Sequence, residues 1–288
     1  MKRPVLHKSS VWLAPAKLNL FLHITGVRPD GYHELQTVFQ FLDFCDELHF
    51  LIREDGQVCR VNDVDGVPET EDLVVRAARL LKSETGTELG VDIEVQKNLP
   101  MGGGLGGGSS DAATTLVALN QLWELGLDED SLAALGLKLG ADVPVFVRGW
   151  SAWAEGVGEQ LEPITLPEPW FVVLVPKVNV STADLFNDPQ LTRDATPIKI
   201  RGFLEGHGAS VLGNVFEPLV RKRYREIDEA ITWLSEFSTA RLTGTGACVF
   251  AAFDEKSRAL EVAAEVNARW GVFVAKACNR SPLFAAKS

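Results

Sequence analysis

Apolar and polar positions alternate with a period of two where the chain opens. Leu18, Leu20, Leu22 and Ile24 share one face and Lys17, Asn19 and His23 the other, which predicts a strand over 11–26. Arg28-Pro29-Asp30-Gly31 is turn chemistry. Beyond it the pattern predicts strands over 33–42 and 47–52, a helix over 73–82 and a strand over 91–96. Helices follow over 111–123 and 132–139, with a short strand over 151–154. Then come an apolar strand over 170–176, a short helix over 182–186 and a mostly helical stretch over 214–237. Strand material over 242–253 is interrupted by Gly244 and Gly246, and a helix over 257–269 precedes a last strand over 272–277. A strand-rich first half and a helix-rich second half predict an α+β chain of two domains meeting near 155–165, divided here as 1–158 and 159–288.

One segment breaks this rhythm. Gly102, Gly103, Gly104, Gly106, Gly107 and Gly108 place six glycines in seven residues between the strand and the helix of 111–123. Glycine is costly to order, so such a cluster needs a reason. A flexible linker is one. The alternative is a main chain that approaches a ligand closely and turns free amides toward negative charge at a helix N-terminus. The flanking strand and helix favour this anion site. Gly102, Gly104 and Gly107 spell G-x-G-x-x-G, but a second helix pattern follows instead of the strand and acidic residue of a dinucleotide fold. No lysine follows the glycines, so a Walker A loop fails, and the chain has neither His-Arg-Asp nor Asp-Phe-Gly. The loop therefore needs a cation from elsewhere in the chain or a metal ion.

Composition narrows the classes. At 288 residues with 46% apolar residues and mean hydropathy near zero, the chain reads as a soluble globular protein. A net charge of −11 without a basic stripe argues against nucleic acid. Cys45, Cys59, Cys248 and Cys278 are scattered, as reduced thiols in a cytoplasm would be. Lys2 and Arg3 ahead of Val11 to Ala16 resemble a signal peptide, but the apolar part is too short and Ser9 and Ser10 interrupt it. The apolar run over 171–175 is far below membrane-spanning length. A cytoplasmic protein without a membrane partner is expected.

Set together, Pro15 to Leu22, Arg28 to His33, Met101 to Ala113, Gly140-Ala141-Asp142-Val143-Pro144 and Ala240 to Phe250 resemble the GHMP small-molecule kinase superfamily. The resemblance spans nearly the whole chain. It implies an N-terminal ribosomal-S5-like domain with a left-handed βαβ unit, carrying ATP and catalysis, and a ferredoxin-like, substrate-side C-terminal domain. Within the superfamily the match is closest to the branch acting on a cytidine diphosphate of methylerythritol. That implies phosphorylation of its 2-hydroxyl in the non-mevalonate isoprenoid pathway, with ATP as co-substrate and Mg²⁺ expected. A monomer or weak homodimer is expected. The rivals are a homoserine- or mevalonate-type kinase, a nucleotide-binding protein without kinase activity and, weakest, an oxidoreductase.

From pattern alone Lys17 is an exposed lysine and Asn19 an edge residue. The resemblance makes Lys17 the cation beside the acceptor hydroxyl and adds Asn19 to the substrate site. Asp142 is a helix cap by pattern and the catalytic base by resemblance. Pro100, Met101, Leu105, Ser109 and Ser110 join the six glycines as the ATP site. Ser109, Ser110 and Asp111 also suit plain capping, and Asp111 is read as a capping acid turned away from the nucleotide. Tyr32 and His33 are a buried aromatic and a satisfied histidine by pattern; the resemblance sets them on the cytosine, with Phe186 on its other face. Gly244 and Thr245 are a strand bulge by pattern and part of the acceptor site by resemblance. Lys97 to Pro100 are expected on the adenine or ribose side. No Asp/Glu cluster identifies a protein ligand for Mg²⁺.

Overall fold

The computed structural model describes residues 11–204 and 213–285. Lys2, Arg3, Ser9 and Ser10, on which the targeting expectation turns, lie outside them. In chain order the elements are β1 (Trp12–Val27), β2 (His33–Arg53), β3 (Val58–Arg60), α1 (Leu73–Thr85), β4 (Gly90–Gln96), α2 (Gly107–Leu122), α3 (Glu129–Leu137), α4 (Val143–Arg148), β5 (Ala152–Glu155) and β6 (Gln160–Pro163). They continue with β7 (Trp170–Val175), α5 (Thr182–Phe186), α6 (Ile200–Leu204), α7 (Glu217–Arg223), α8 (Arg225–Leu234), β8 (Ala240–Leu242), β9 (Val249–Phe253), α9 (Lys256–Glu265) and β10 (Gly271–Cys278). No described helix is long and apolar enough to cross a membrane.

One sheet runs through the molecule in the order β3-β4-β2-β10-β7-β9-β8, with β1 and β5 also paired to β2. The β3–β4 pair is parallel and α1 connects the two, so β3-α1-β4 is the βαβ unit. The later strands form β10-β7-β9-β8, all antiparallel, with helices after β7 and β9. That is the βαββαβ order of a ferredoxin-like fold. The two groups of strands join where Ala277 and Cys278 pair with Leu42 and Phe41.

Four apolar clusters hold the described layers together, the smallest around Phe21, Val38, Trp153, Ile164 and Leu166. The first packs α1, α2, α3 and α4 on β2 and β4. In the second, α8 presents Ile227, Ala230, Ile231 and Leu234 to Val172, Leu174, Val249 and Ala251, the i, i+3, i+4, i+7 spacing of a one-sided helix. The third lies at the junction and includes Leu18, Leu42, Leu105, Phe171 and Phe250. Leu105 is the single non-glycine within 102–108. Burying it stabilises the loop by about 1.5–3 kcal/mol and ties the glycines to both parts of the sheet.

Several elements differ from the pattern reading. β2 is one strand, not two, although Asp43 and Asp46 break its alternation. Both carboxylates serve as acceptors for other segments: Asp43 takes the amide of Lys276 at 2.7 Å, and Asp46 those of Asn98 and Leu99 at 2.6 and 2.8 Å. α2 begins at Gly107, four residues before Asp111, so part of the glycine segment is itself helical. α4 escapes a periodicity reading because Val-Pro-Val-Phe-Val is buried all round. Pro144 fits its first turn, where no N–H is needed, and Gly149 closes it at φ 67°. The 214–237 stretch is two helices, broken at Tyr224, whose backbone is extended.

Candidate active site

A cavity of about 900 Å³ opens between the glycine segment, the β1–β2 turn and α5. β1 delivers the first two side chains. Its register against β2 slips between Pro15 and Lys17 and again between Asn19 and Leu22, and such slips re-aim side chains out of strict alternation. Lys17 is only 2% exposed, so it is not the solvated lysine that pattern alone permits. Its ammonium donates to Asn19 Oδ1 at 2.5 Å and to the Gly104 carbonyl at 3.2 Å, and lies 3.3 Å from Asp142 Oδ2. A buried ammonium is tolerated only with such partners. Asn19 is held in turn, its Nδ2 donating to Thr37 Oγ1 at 2.9 Å and its main-chain amide to Thr243 Oγ1 at 3.0 Å.

Asp142 occupies the position before α4, yet its side chain makes no capping hydrogen bond. The capping alternative therefore fails. The carboxylate, one-third exposed, faces Lys17 and lines the cavity.

The glycine segment is shaped from two directions. Gly104 has φ +76°, and a Cβ there would sit 2.2 Å from the Thr243 carbonyl. At Gly106, φ +74°, a Cβ would press Phe146 at 2.8 Å and Lys17 Cε at 3.1 Å. These glycines are required by the protein itself, a cause that ligand contact alone did not anticipate. Gly107 and Gly108 differ, since a Cβ at either would meet only ordinary contacts at 3.4–3.5 Å. Gly106 is the N-cap of α2 and the first intrahelical bond runs from Ser110 N to Gly106 O. The amides of Gly107, Gly108 and Ser109 have no acceptor one turn back, and no acidic residue stands in that turn. Ser109 lines the cavity. Ser110 does not: it is fully buried and its hydroxyl has no partner.

Asp111 is neither a cap nor turned away. It lies inside α2, lines the cavity and pairs with Lys97 Nζ at 2.7 Å. Lys97 also pairs with Asp46. Burial pushes the Asp111 carboxyl up to about 7 against the opposing pull of Lys97, and its Oδ1 has no hydrogen-bond partner. Burial also works to lower Lys97, but Asp111 and Asp46 together hold it above its ordinary value.

At the other end, Tyr32 is 64% exposed at the start of β2, contrary to a buried aromatic. His33 packs against Phe186 with ring centroids 5.0 Å apart, and Phe186 meets Phe216 edge-on at 4.8 Å. His33 Nε2 accepts from Arg193 Nε at 3.1 Å. Burial, and then the Arg193 charge, lower the His33 pKa. Gly244 and Thr245 lie in the β8–β9 turn, which is fastened to the glycine segment: Ala247 N donates to Gly102 O at 3.2 Å and Cys248 N to Gly103 O at 3.0 Å. Thr245 shares a 2.8 Å hydroxyl contact with Thr182 of α5.

The expected residues thus line one cavity, apart from Ser110 and, of the 97–100 segment, Asn98 and Leu99, of which Leu99 is buried in the junction cluster. Four contributors escaped sequence reasoning. Asn214 holds the β8–β9 turn by donating to Leu242 O and Gly244 O at 3.0 and 2.7 Å. Thr243 bridges β1 to Gly104, Asp46 anchors the strand end before the glycines, and Arg193 braces His33. Asn214, Asp46 and Arg193 sit in no motif; Thr243 lies within Ala240 to Phe250, but no local spacing marks its contacts to β1 and Gly104.

Comparison with known proteins places this geometry. The GHMP kinases N terminal domain matches residues 72–149, and the GHMP kinases C terminal domain matches 201–272. A protein named 4-diphosphocytidyl-2-C-methyl-D-erythritol kinase, from Nitrosococcus oceani, is 58% identical over 95% of this chain and 96% of its own. The chain belongs to the 4-diphosphocytidyl-2-C-methyl-D-erythritol kinase family of GHMP kinases. A crystal structure of a 4-(cytidine 5'-diphospho)-2C-methyl-D-erythritol kinase superposes with TM-score 0.81 at 32% identity, covering 93% of this chain and 99% of that one. A mevalonate kinase crystal structure covers 95% of this chain with TM-score 0.69 and 16% identity, a likeness of fold alone. Membership makes this GHMP kinase a phosphotransferase with ATP as co-substrate and a small-molecule acceptor, as the resemblance implied, on the two-domain α+β fold.

Proposed function

We propose that the chain transfers the γ-phosphoryl group of ATP to the 2-hydroxyl of 4-diphosphocytidyl-2-C-methyl-D-erythritol. The observation that carries this reading is the Lys17–Asp142 pair, 3.3 Å apart in the cavity wall, with the same ammonium also touching the Gly104 carbonyl of the glycine segment. One cation is thereby shared between the phosphate side and the place where an acceptor hydroxyl meets a carboxylate. In the step, the acceptor oxygen bonds to the γ-phosphorus as the bond to the bridging oxygen of ADP breaks. The hydroxyl proton passes to Asp142, and Lys17 stabilises the charge growing on the acceptor oxygen. The amides of 107–109 hold the triphosphate against the positive end of α2. A loose transition state gains most from such positioning and neutralisation.

Among the described residues no three His, Cys, Asp or Glu side chains cluster as a metal cage. The Ser109 hydroxyl, an oxygen donor on the cavity wall in the first turn of α2, fits Mg²⁺. This serine would hold it, and bound Mg²⁺ would supply charge neutralisation on the phosphates. Asn19, Tyr32, His33, Phe186, Gly244 and Thr245 would form the acceptor site. The reading also keeps 1–158 as the ATP and catalytic unit, 159–288 as the substrate-side unit, and a cytoplasmic monomer or weak dimer using neither nucleic acid nor membrane.

The test is a product assay with ATP and the cytidylyl acceptor beside mevalonate and homoserine, locating the new phosphate. Phosphate on the 2-hydroxyl of the cytidylyl acceptor alone is expected, and turnover of either other alcohol in its place would overturn the reading. Asp142→Asn should lower kcat by about a hundredfold or more and leave ATP affinity nearly unchanged; unaltered turnover would remove Asp142 from its role.

A further inference from the structure

Arg193 lies beyond α5, outside every motif, and its guanidinium reaches four acceptors. Nε donates to His33 Nε2 at 3.1 Å and Nη1 to Leu191 O at 3.1 Å; Nη2 donates to Phe186 O at 2.7 Å and Asp188 O at 2.8 Å. The last three carbonyls belong to the chain that leaves α5, so the fork braces that turn from within. The fourth contact crosses to β2, 160 residues away in sequence.

Arginine is always protonated and carries donors only. Any imidazole nitrogen facing Nε must therefore offer a lone pair. That nitrogen is Nε2, which leaves Nδ1 as the one N–H of a neutral ring. Protonating the ring would set N–H against N–H beside a fixed positive charge. Phe186, whose carbonyl the same guanidinium holds, is the aromatic that packs on His33.

We propose that Arg193 is a positioning residue for base recognition: it holds His33 as the neutral Nδ1–H imidazole and locks that ring to the turn carrying Phe186. The proposal deepens the acceptor site described above and rests on that reading. A neutral Nδ1–H ring presents a single donor to a base edge. Cytosine offers an acceptor at N3 where uracil carries N–H, so a fixed donor favours cytosine.

Two measurements test it. Nitrogen NMR of the ligand-free protein, with isotopically labelled histidine rings and His33→Gln for assignment among the five histidines, reads the tautomer directly. At neutral pH the Nδ1–H form is expected; an Nε2–H ring or an imidazolium would overturn the proposal even if the acceptor were misidentified. Steady-state kinetics then compare wild type, Arg193→Met and Arg193→Lys. Arg193→Met should raise KM for the cytidylyl acceptor about tenfold to a hundredfold, with kcat and the KM for ATP within about twofold. Arg193→Lys should lie between, since one ammonium restores a donor to Nε2 but not the fork. An unchanged acceptor KM in Arg193→Met, or an equal rise for ATP, would overturn the positioning role. Failure of the wild type to use the acceptor strikes the proposed function and leaves the NMR result standing.

Discussion

The two walls of the cavity are built on opposite plans. The glycine wall is contiguous in sequence and presents main chain; Leu105 and the β8–β9 turn press it into shape from behind. The wall of Tyr32, His33 and Phe186, braced by Arg193, presents side chains drawn from segments more than 150 residues apart, and Tyr32 there is largely exposed. A main-chain wall is spoiled by adding an atom, a side-chain wall by removing one.

The sharpest way to break that comparison is Gly104→Ala. The added Cβ would lie 2.2 Å from the Thr243 carbonyl on a backbone at φ +76°, so the loop must move. Urea melts should show a loss of about 2 kcal/mol or more, and activity should fall with it. Gly107→Ala is the control, because its Cβ meets nothing closer than 3.5 Å. It should weaken ATP binding while the melt stays near wild type, and an equal loss of stability in both variants would deny that the two glycines are needed for different reasons.

His33→Ala is the converse experiment on the other wall. KM for the cytidylyl acceptor should rise about tenfold to a hundredfold while that for ATP moves less than about twofold. Equal shifts in both constants would move His33 out of the acceptor site.

The smallest expected effect concerns Asp111. Burial raises its carboxyl from 3.8 to about 7, so between those pH values the unfolded chain has released a proton that the folded chain retains. Stability therefore declines as pH rises through that window and levels off above it. An amide in place of this carboxyl cannot titrate, so the melting temperature of Asp111→Asn relative to wild type should climb across the same window and then stay constant. Parallel melting curves at every pH would show that Asp111 keeps its ordinary carboxyl.

Legibility in the sequence follows the same division. The glycine wall can be read because main-chain recognition of an anion must be written into local composition: six glycines, then a helix. Its causes are less legible, since the crowding at Gly104 comes from Thr243, which no spacing connects to it. β2 reads as two strands because Asp43 and Asp46 look like a break; their role as acceptors emerges only once Lys276, Asn98 and Leu99 are folded against them. Asp111 reads as a cap because its neighbours are serines after glycines, whereas the helix has already begun at Gly107. Lys17 and Asp142 are ambiguous by pattern and gain meaning from the family resemblance.

By itself, then, the sequence determined what short-range physics can write: alternation, turn chemistry, a run of residues without side chains, and motif groups whose combination marks a GHMP kinase. Tertiary structure alone decided which ammonium is buried, which carboxylate faces it and which nitrogen of His33 keeps its proton. These depend on burial and on partners as far apart as Lys17 and Asp142 or His33 and Arg193, where desolvation and contact act across space and leave no periodic trace along the chain.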